Sequence, residues 1–352
     1  MEPAHPVKTD MNFSGRSSKI ILPDGSKIRT PILIPSFSSR VGKYSCEEVK
    51  DILHYTSELF TDSLLLSAYD IYHEVYSGPD SLAATPELYY IDSGGYEASM
   101  GRDLSTTHPT FGGEPCQRTD RSEWTFERYR EVTAKICSAN TEKNIAVVNY
   151  DHPNERFTIE EQLEKARKSF EGLSGILLSI LLKPEMLSHN YLQIDRIVNK
   201  ASSLREFDII GVTEKELGES VLVRLCNLAK IRMALDREDV QKPLHVFGCL
   251  DPLSCSLYFM AGAEIFDGLT WMRFAFMNGG TVYSENYRLI NAIDDNSSLA
   301  DKRMFQGNLD KLRELKDHLI NYHNSGNIKE IREANSDLLE KVVDRVRARL
   351  GS

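Results

Sequence analysis

The sequence predicts an α/β protein built as a (β/α)8 TIM barrel, with an N-terminal hairpin and a C-terminal helical hairpin. Three observations point there. Eight short apolar runs alternate with helical patterns, and eight is the number of strands that closes such a barrel. The runs are continuously hydrophobic, as expected of parallel strands buried on both faces. Two of them, far apart in sequence, end in the aspartates Asp92 and Asp267, and barrel enzymes carry their chemistry at the carboxyl ends of strands.

Residues 1–18 are polar and are expected to be loose. The stretch that follows, Lys19 to Ile28, reads as a hairpin turning at Pro23-Asp24-Gly25, a turn-forming sequence between two apolar segments. The eight candidate strands are residues 32–34, 63–66, 88–92, 145–151, 175–182, 208–212, 244–248 and 264–269. Helical periodicity marks residues 47–55, 123–139, 159–172, 185–203, 219–235 and 252–261, with Ser122, Thr158 and Asp251 as N-caps. The segment 98–121, rich in Gly, Thr, Pro and Arg, follows the third strand and is expected to cover a substrate. Beyond residue 295 the chain is strongly charged, with apolar residues at helical spacing (Leu309, Leu312, Leu315, Leu319, then Leu338, Leu339, Val342, Val343, Val346) on either side of Ser325-Gly326. This predicts a helical hairpin packed on the barrel or on a second subunit. The expected organisation is therefore a loose segment 1–18, a barrel domain 19–295 and a C-terminal helical segment 296–352.

Composition narrows the function. The chain has 352 residues, 41% of them hydrophobic and 27% charged, enough for a large core. Its formal net charge is −10, so no general basic field draws it onto nucleic acid, and any such contact needs a local patch. The longest apolar run, Ile176 to Leu182, falls far short of the ~18–20 residues that cross a bilayer, so no membrane partner is expected. Six cysteines are scattered without a Cys-x-x-Cys pair, and the N-terminus has no basic-then-apolar signal. Reduced thiols, a cytoplasmic location and no metal site follow as expectations.

The chemistry-bearing residues cluster at strand ends. Asp92-Ser93-Gly94-Gly95-Tyr96 combines a carboxylate, a hydroxyl, two residues that permit close backbone approach and an aromatic face. That set suits a flat heterocycle stacked on Tyr96 with Asp92 at the reacting centre, and it equally suits a tight Asx turn. Asp151 closes the fourth run; a carboxylate accepting two N–H groups reads a guanine-like edge, or caps a helix. Asp267 lies between Phe266 and Gly268, with Arg273 six residues on as a phosphate ligand or a partner for a surface acid. Gly211 and Val212 offer backbone groups at the sixth strand end. The histidines lack ligand spacing and read as structural or surface groups. If Asp92 and Asp267 share one barrel mouth, one carboxylate can attack a sugar carbon while the other manages protons.

These motifs resemble the tRNA-guanine transglycosylases (queuine tRNA-ribosyltransferases), whose signatures are an Asp-Ser-Gly-Gly-aromatic strand end, a later Phe-Asp-Cys-x-x-Pro-Thr-Arg stretch and an early Leu-Pro-x-Gly hairpin. Here they stand as Asp92 to Tyr96, as Phe266-Asp267-Gly268-Leu269-Thr270-Trp271-Met272-Arg273, and as Leu22-Pro23-Asp24-Gly25 ahead of Pro31. The likeness runs through roughly residues 19–300. It implies a pentosyltransferase in which Asp267 attacks the anomeric carbon, Asp92 handles protons, and guanine or a 7-deazaguanine is exchanged in a nucleic acid. It further implies that Tyr96 stacks on the base, Asp151 reads it, and Ser93, Gly94, Gly95, Gly211, Val212 and Arg273 complete substrate binding.

Three departures accompany the resemblance. The family's Cys-x-Cys-x-x-Cys and later His are absent, so no zinc or other cofactor is expected. The fifth strand ends in Lys183-Pro184 where the family has a glutamine followed by glycines. Gly268 replaces the motif's cysteine, and the basic residues that grip tRNA are reduced to Arg273. A divergent, zinc-free member is thereby implied, closer to relatives that place deazaguanines in DNA or accompany antiviral defence operons in bacteria, with tRNA and DNA both open as the polymer. The alternative is a pocket that binds a 7-deazaguanine or a protein partner without exchange; a nucleoside hydrolase is a third reading. The apolar stripe through Leu338, Val342 and Val346 makes a homodimer an expected form.

Overall fold

A computed structural model describes Phe13 and residues 15–60, 62–75, 78, 80, 82, 86–99, 124–293, 297–332, 334 and 336–351. Residues 100–121 of the predicted covering loop, and the predicted cap Ser122, lie outside the described residues. The first two strands, β1 (Lys19–Ile21) and β2 (Lys27–Arg29), form the expected antiparallel hairpin. The barrel strands follow: β3 (Ile32–Pro35), β4 (Ser63–Ser67), β5 (Leu88–Asp92), β6 (Ile145–Val148), β7 (Leu177–Leu182), β8 (Ile209–Thr213), β9 (Leu244–Phe247) and β10 (Ile265–Gly268). They pair in parallel in the order β3-β10-β9-β8-β7-β6-β5-β4. A parallel bridge between Ser36 and Leu65 brings the two ends together, giving the predicted (β/α)8 barrel.

Period-two alternation sorts the side chains into two cores. Ile32, Ile34, Leu65, Leu88, Tyr90, Ala146, Val148, Leu177, Leu181, Ile209, Phe247 and Ile265 fill the barrel interior, with Ile20, Leu22 and Ile28 of the hairpin packed against them. The intervening residues, such as Leu33, Leu64, Leu66, Ile91 and Phe266, pack outward against the helices. Polar atoms also occur inside the barrel: Tyr90 Oη, Ser179 Oγ and His245 Nδ1 are buried without a hydrogen-bond partner among the described residues.

Helix limits follow local chemistry. Ser45 with Glu48, and Thr158 with Glu161, form capping boxes for helices Cys46–Thr56 and Ile159–Phe170. Thr125 caps Phe126–Ala139, Ser220 caps Val221–Arg237, and Asp251 with Pro252 starts Pro252–Met260. The helix expected over 185–203 is reduced to Ile194–Asn199 and a 3-10 turn Ala201–Glu206. The backbone before it is held elsewhere: the Gln193 side-chain Oε1 accepts from Glu185 N at 2.8 Å, and Leu192 N donates to the Glu216 backbone carbonyl at 2.8 Å.

A second hairpin, β11 (Phe274–Met277) with β12 (Gly280–Tyr283), was not expected. Its turn places Asn278 and Gly279 at φ 51° and 77°, the left-handed pair that tight hairpins favour. The helical tail is present as Ser297–Ser325 and Ser336–Leu350. Asn308 pins the long helix to the segment after β10, accepting from Phe276 N and donating to the Trp271 and Phe274 carbonyls, each at 2.7 Å. Of the stripe read as a subunit face, Val346 is buried within the chain and Val342 is partly buried, while Leu338 is 45% exposed. Part of the expected loose N-terminus is attached, since Phe13 is buried and Arg16 Nε pairs with Glu264 at 2.8 Å. Cys46 is disulfide-bonded, contrary to the expectation of six reduced thiols; Cys137, Cys226, Cys249 and Cys255 are free. Among the described residues no helix is long and apolar enough to cross a membrane.

Candidate active site

The carboxyl ends of the barrel strands open into a cavity of about 240 Å³ lined by both Asp92 and Asp267. Each stands at an inward position of its strand: Asp92 follows Leu88 and Tyr90 on β5, and Asp267 follows Ile265 on β10. The parallel registers carry the two chain-distant aspartates to the same end of the sheet.

Asp267 is 6% exposed and held by three polar neighbours. Its Oδ2 accepts from Ser36 Oγ at 2.8 Å; its Oδ1 accepts from Gly248 N at 3.1 Å and lies 3.1 Å from His245 Nε2. Gly248 has φ 76°, which turns its amide toward the carboxylate in a conformation that L side chains resist. Trp271, fully buried, fixes the other side by donating Nε1 to the Ser36 carbonyl at 3.1 Å. The ring packs edge-on against Phe37 and Phe305, at centroid distances of 5.3 and 5.6 Å.

Asp92 has the opposite surroundings. Burial, then the neighbouring Glu97, then Asp267 push its carboxyl up to about 8, against weaker lowering by the Ser93 and Gly94 amides. A carboxyl raised this far keeps its proton near neutral pH and can serve as an acid. Glu97, itself buried, accepts from Ser38 Oγ and from Ser67 Oγ, the latter at 2.7 Å. One wall thus offers a proton donor and the other a braced carboxylate.

The predicted base-binding residues divide. Ser93, Gly95, Tyr96, Asp151 and Arg273 line the cavity. The Arg40 guanidinium lies 4.7 Å from the Tyr96 ring centroid, and Arg273 Nη2 donates to Tyr96 Oη at 3.3 Å. Arg273 also donates to the carbonyls of Val41 and Arg40, at 2.9 and 3.0 Å, so its guanidinium braces the cavity wall. A β-carbon on Gly95 would lie 2.8 Å from Asp151 O and 2.9 Å from its Oδ2; the absent side chain makes room for Asp151. Asp151 pairs with Lys183 at 3.5 Å and Arg156 at 3.8 Å.

Gly94, Gly211 and Val212 are not in the cavity wall. Gly94 closes the turn beside Asp92. Gly211 faces inward, but a β-carbon there would meet the Phe247 ring at 2.4 Å: Phe247 covers it. Val212 points outward into the helix-facing core, and both residues pair with β7 and β9.

Ser36, Glu97, Lys183, Glu216 and His245 were not among the predicted site residues. Lys183 continues the inward series Leu177, Ser179, Leu181 to the strand end, where its Nζ is 2.9 Å from Glu216 Oε2 and 3.3 Å from Thr213 Oγ1. Burial alone would lower its ammonium, but Asp151 and Glu216 outweigh burial and raise it. His245 precedes Phe247 by two on β9, so the same alternation that buries the phenyl ring aims the imidazole inward. That signal was present, though spacing suggested no role for it.

Among the described residues no group of three or more His, Cys, Asp or Glu side chains is arranged to hold a metal ion. No family model matches the chain, and no curated protein matches it significantly.

Proposed function

We propose that this cavity exchanges guanine or a 7-deazaguanine at a sugar carbon of a nucleic acid, through a covalent sugar ester on Asp267. The observation that carries the reading is the pairing in one cavity of Asp267, braced by Ser36, Gly248 and His245, with Asp92, whose carboxyl burial pushes up to about 8. In the first step an oxygen of Asp267 forms a bond to the anomeric carbon as the sugar–base bond breaks. The bonding pair leaves on the base, which takes the Asp92 proton. In the second step the incoming base returns a proton to Asp92, its nitrogen attacks the same carbon, and Asp267 departs as carboxylate. Two displacements retain configuration.

The cavity supports a flat, polar ligand between Tyr96 and the Asp151–Lys183 pair. Labelled guanine should enter tRNA or DNA when incubated with the protein, and Asp267→Asn should abolish entry. Exchange by that variant at the wild-type rate rules the mechanism out.

A second reading, binding without exchange, is favoured by one observation. The charge of Asp151 is already paired with Lys183 at 3.5 Å and Arg156 at 3.8 Å, and an incoming base must compete with both cations for that carboxylate. Calorimetric binding of a 7-deazaguanine by a protein that incorporates no label into tRNA or DNA would support it, and turnover would exclude it.

A further inference from the structure

We propose that His245 is a positioning residue that, with the Gly248 amide, occupies both acceptor positions of Asp267 Oδ1 and leaves Oδ2 as the atom that attacks the sugar. The assignment rests on the exchange reading above and supplies which oxygen reacts.

The geometry carries it. A carboxylate oxygen has two lone-pair positions. Oδ1 meets two groups, His245 Nε2 and Gly248 N, each at 3.1 Å; Oδ2 meets one, Ser36 Oγ at 2.8 Å. Only Oδ2 keeps a lone pair facing no described donor. When Oδ2 forms the ester, Oδ1 becomes its carbonyl oxygen and retains both donors; when the ester breaks, those donors stabilise the returning negative charge. Ser36 supplies a hydroxyl whose proton rotates away as Oδ2 takes up carbon.

His245 is built for a fixed role. It is fully buried, stacked on Phe247 at 3.7 Å and met edge-on by Tyr90 at 5.6 Å between centroids. Burial is the largest influence on the ring and lowers its pKa, against the raising effect of Asp267, so the imidazole is neutral at pH 7 and has one N–H. Nε2 faces a carboxylate, which can only accept, whereas Nδ1 has no partner among the described residues. The N–H therefore sits on Nε2. His245 does not line the cavity, so its effect on the sugar passes through Asp267.

The experiment compares wild type, His245→Gln and His245→Leu in two measurements. Nitrogen-15 NMR of histidine-labelled protein at pH 7, with the His245 signals assigned by their loss in His245→Gln, should show a neutral ring protonated on Nε2. An imidazolium, or a ring protonated on Nδ1, overturns the proposal. Single-turnover adduct formation on tRNA or DNA should fall by about 10- to 100-fold in His245→Leu, the effect of losing one hydrogen bond to a charged group. It should recover most of that rate in His245→Gln, whose amide can donate from the Nε2 position, while calorimetric affinity for free guanine stays within about twofold across all three. An adduct rate in His245→Leu equal to wild type refutes the positioning role alone. A wild type that forms no adduct refutes the exchange reading and this role with it, even if the NMR tautomer is as expected.

Discussion

Replacing Asp92 by Asn tests the electrostatics of the cavity apart from any substrate. The Asp92 carboxyl is raised from 3.8 to about 8, by burial first and then by Glu97 and Asp267. Between those values the folded protein holds a proton that the unfolded chain has released. Stability contributed by this site is therefore complete below about pH 4 and is lost as pH rises toward 8, flattening above it. Each pH unit inside that window costs about 1.4 kcal/mol. Asn cannot titrate, so any constant cost of the substitution cancels when the two proteins are compared at two pH values. From pH 5 to pH 7.5 wild type should lose about 3 kcal/mol relative to Asp92→Asn. Urea unfolding of both proteins at both pH values measures the change. A stability difference that is the same at pH 5 and pH 7.5 would refute a raised Asp92, and with it the acid assigned to the first step.

Two further outcomes follow from the cavity wall that carries Asp151. Lys183→Met removes the cation lying 3.5 Å from Asp151 and 2.9 Å from Glu216, and should lower unfolding stability by about 2–4 kcal/mol because the buried Glu216 loses its partner and the half-buried Asp151 keeps only Arg156; a loss below about 0.5 kcal/mol in denaturant unfolding contradicts the pairing. Gly95→Ala drives a methyl against the Asp151 backbone at 2.8 Å, costing about 1–3 kcal/mol of stability and, by displacing Asp151, about tenfold in calorimetric affinity for guanine. Wild-type affinity in that variant would remove Asp151 from the base site.

The barrel was legible because its strands are uninterrupted apolar runs and its helices announce their starts, as at Thr158 with Glu161 and at Asp251 with Pro252. Asp92, Asp151 and Asp267 were legible because each closes such a run. What escaped depends on contacts between distant segments. Nothing near Lys183 in sequence reveals that Asp151 and Glu216 converge on it, and nothing near His245 reveals that its Nε2 lies 3.1 Å from Asp267, 22 residues later. Gly211 and Val212 were read as a turn open to ligand, yet the Phe247 ring from the neighbouring strand closes over Gly211. The helix expected over 185–203 is shortened where the Glu216 backbone carbonyl takes the Leu192 N–H that the helix would have used. The β11–β12 hairpin carries a local signal in Asn278-Gly279, a pair that tolerates the positive φ its turn adopts.

The central claim is a bond between Asp267 and a sugar. Intact-protein mass spectrometry after denaturing quench of wild type with tRNA or DNA, followed by peptide mapping, tests it most directly. The account predicts a sugar-linked adduct on the peptide carrying Asp267, absent in Asp267→Asn and released when free guanine is added. A nucleic acid whose base is exchanged with no adduct on that peptide, or an adduct that persists in Asp267→Asn, would contradict it.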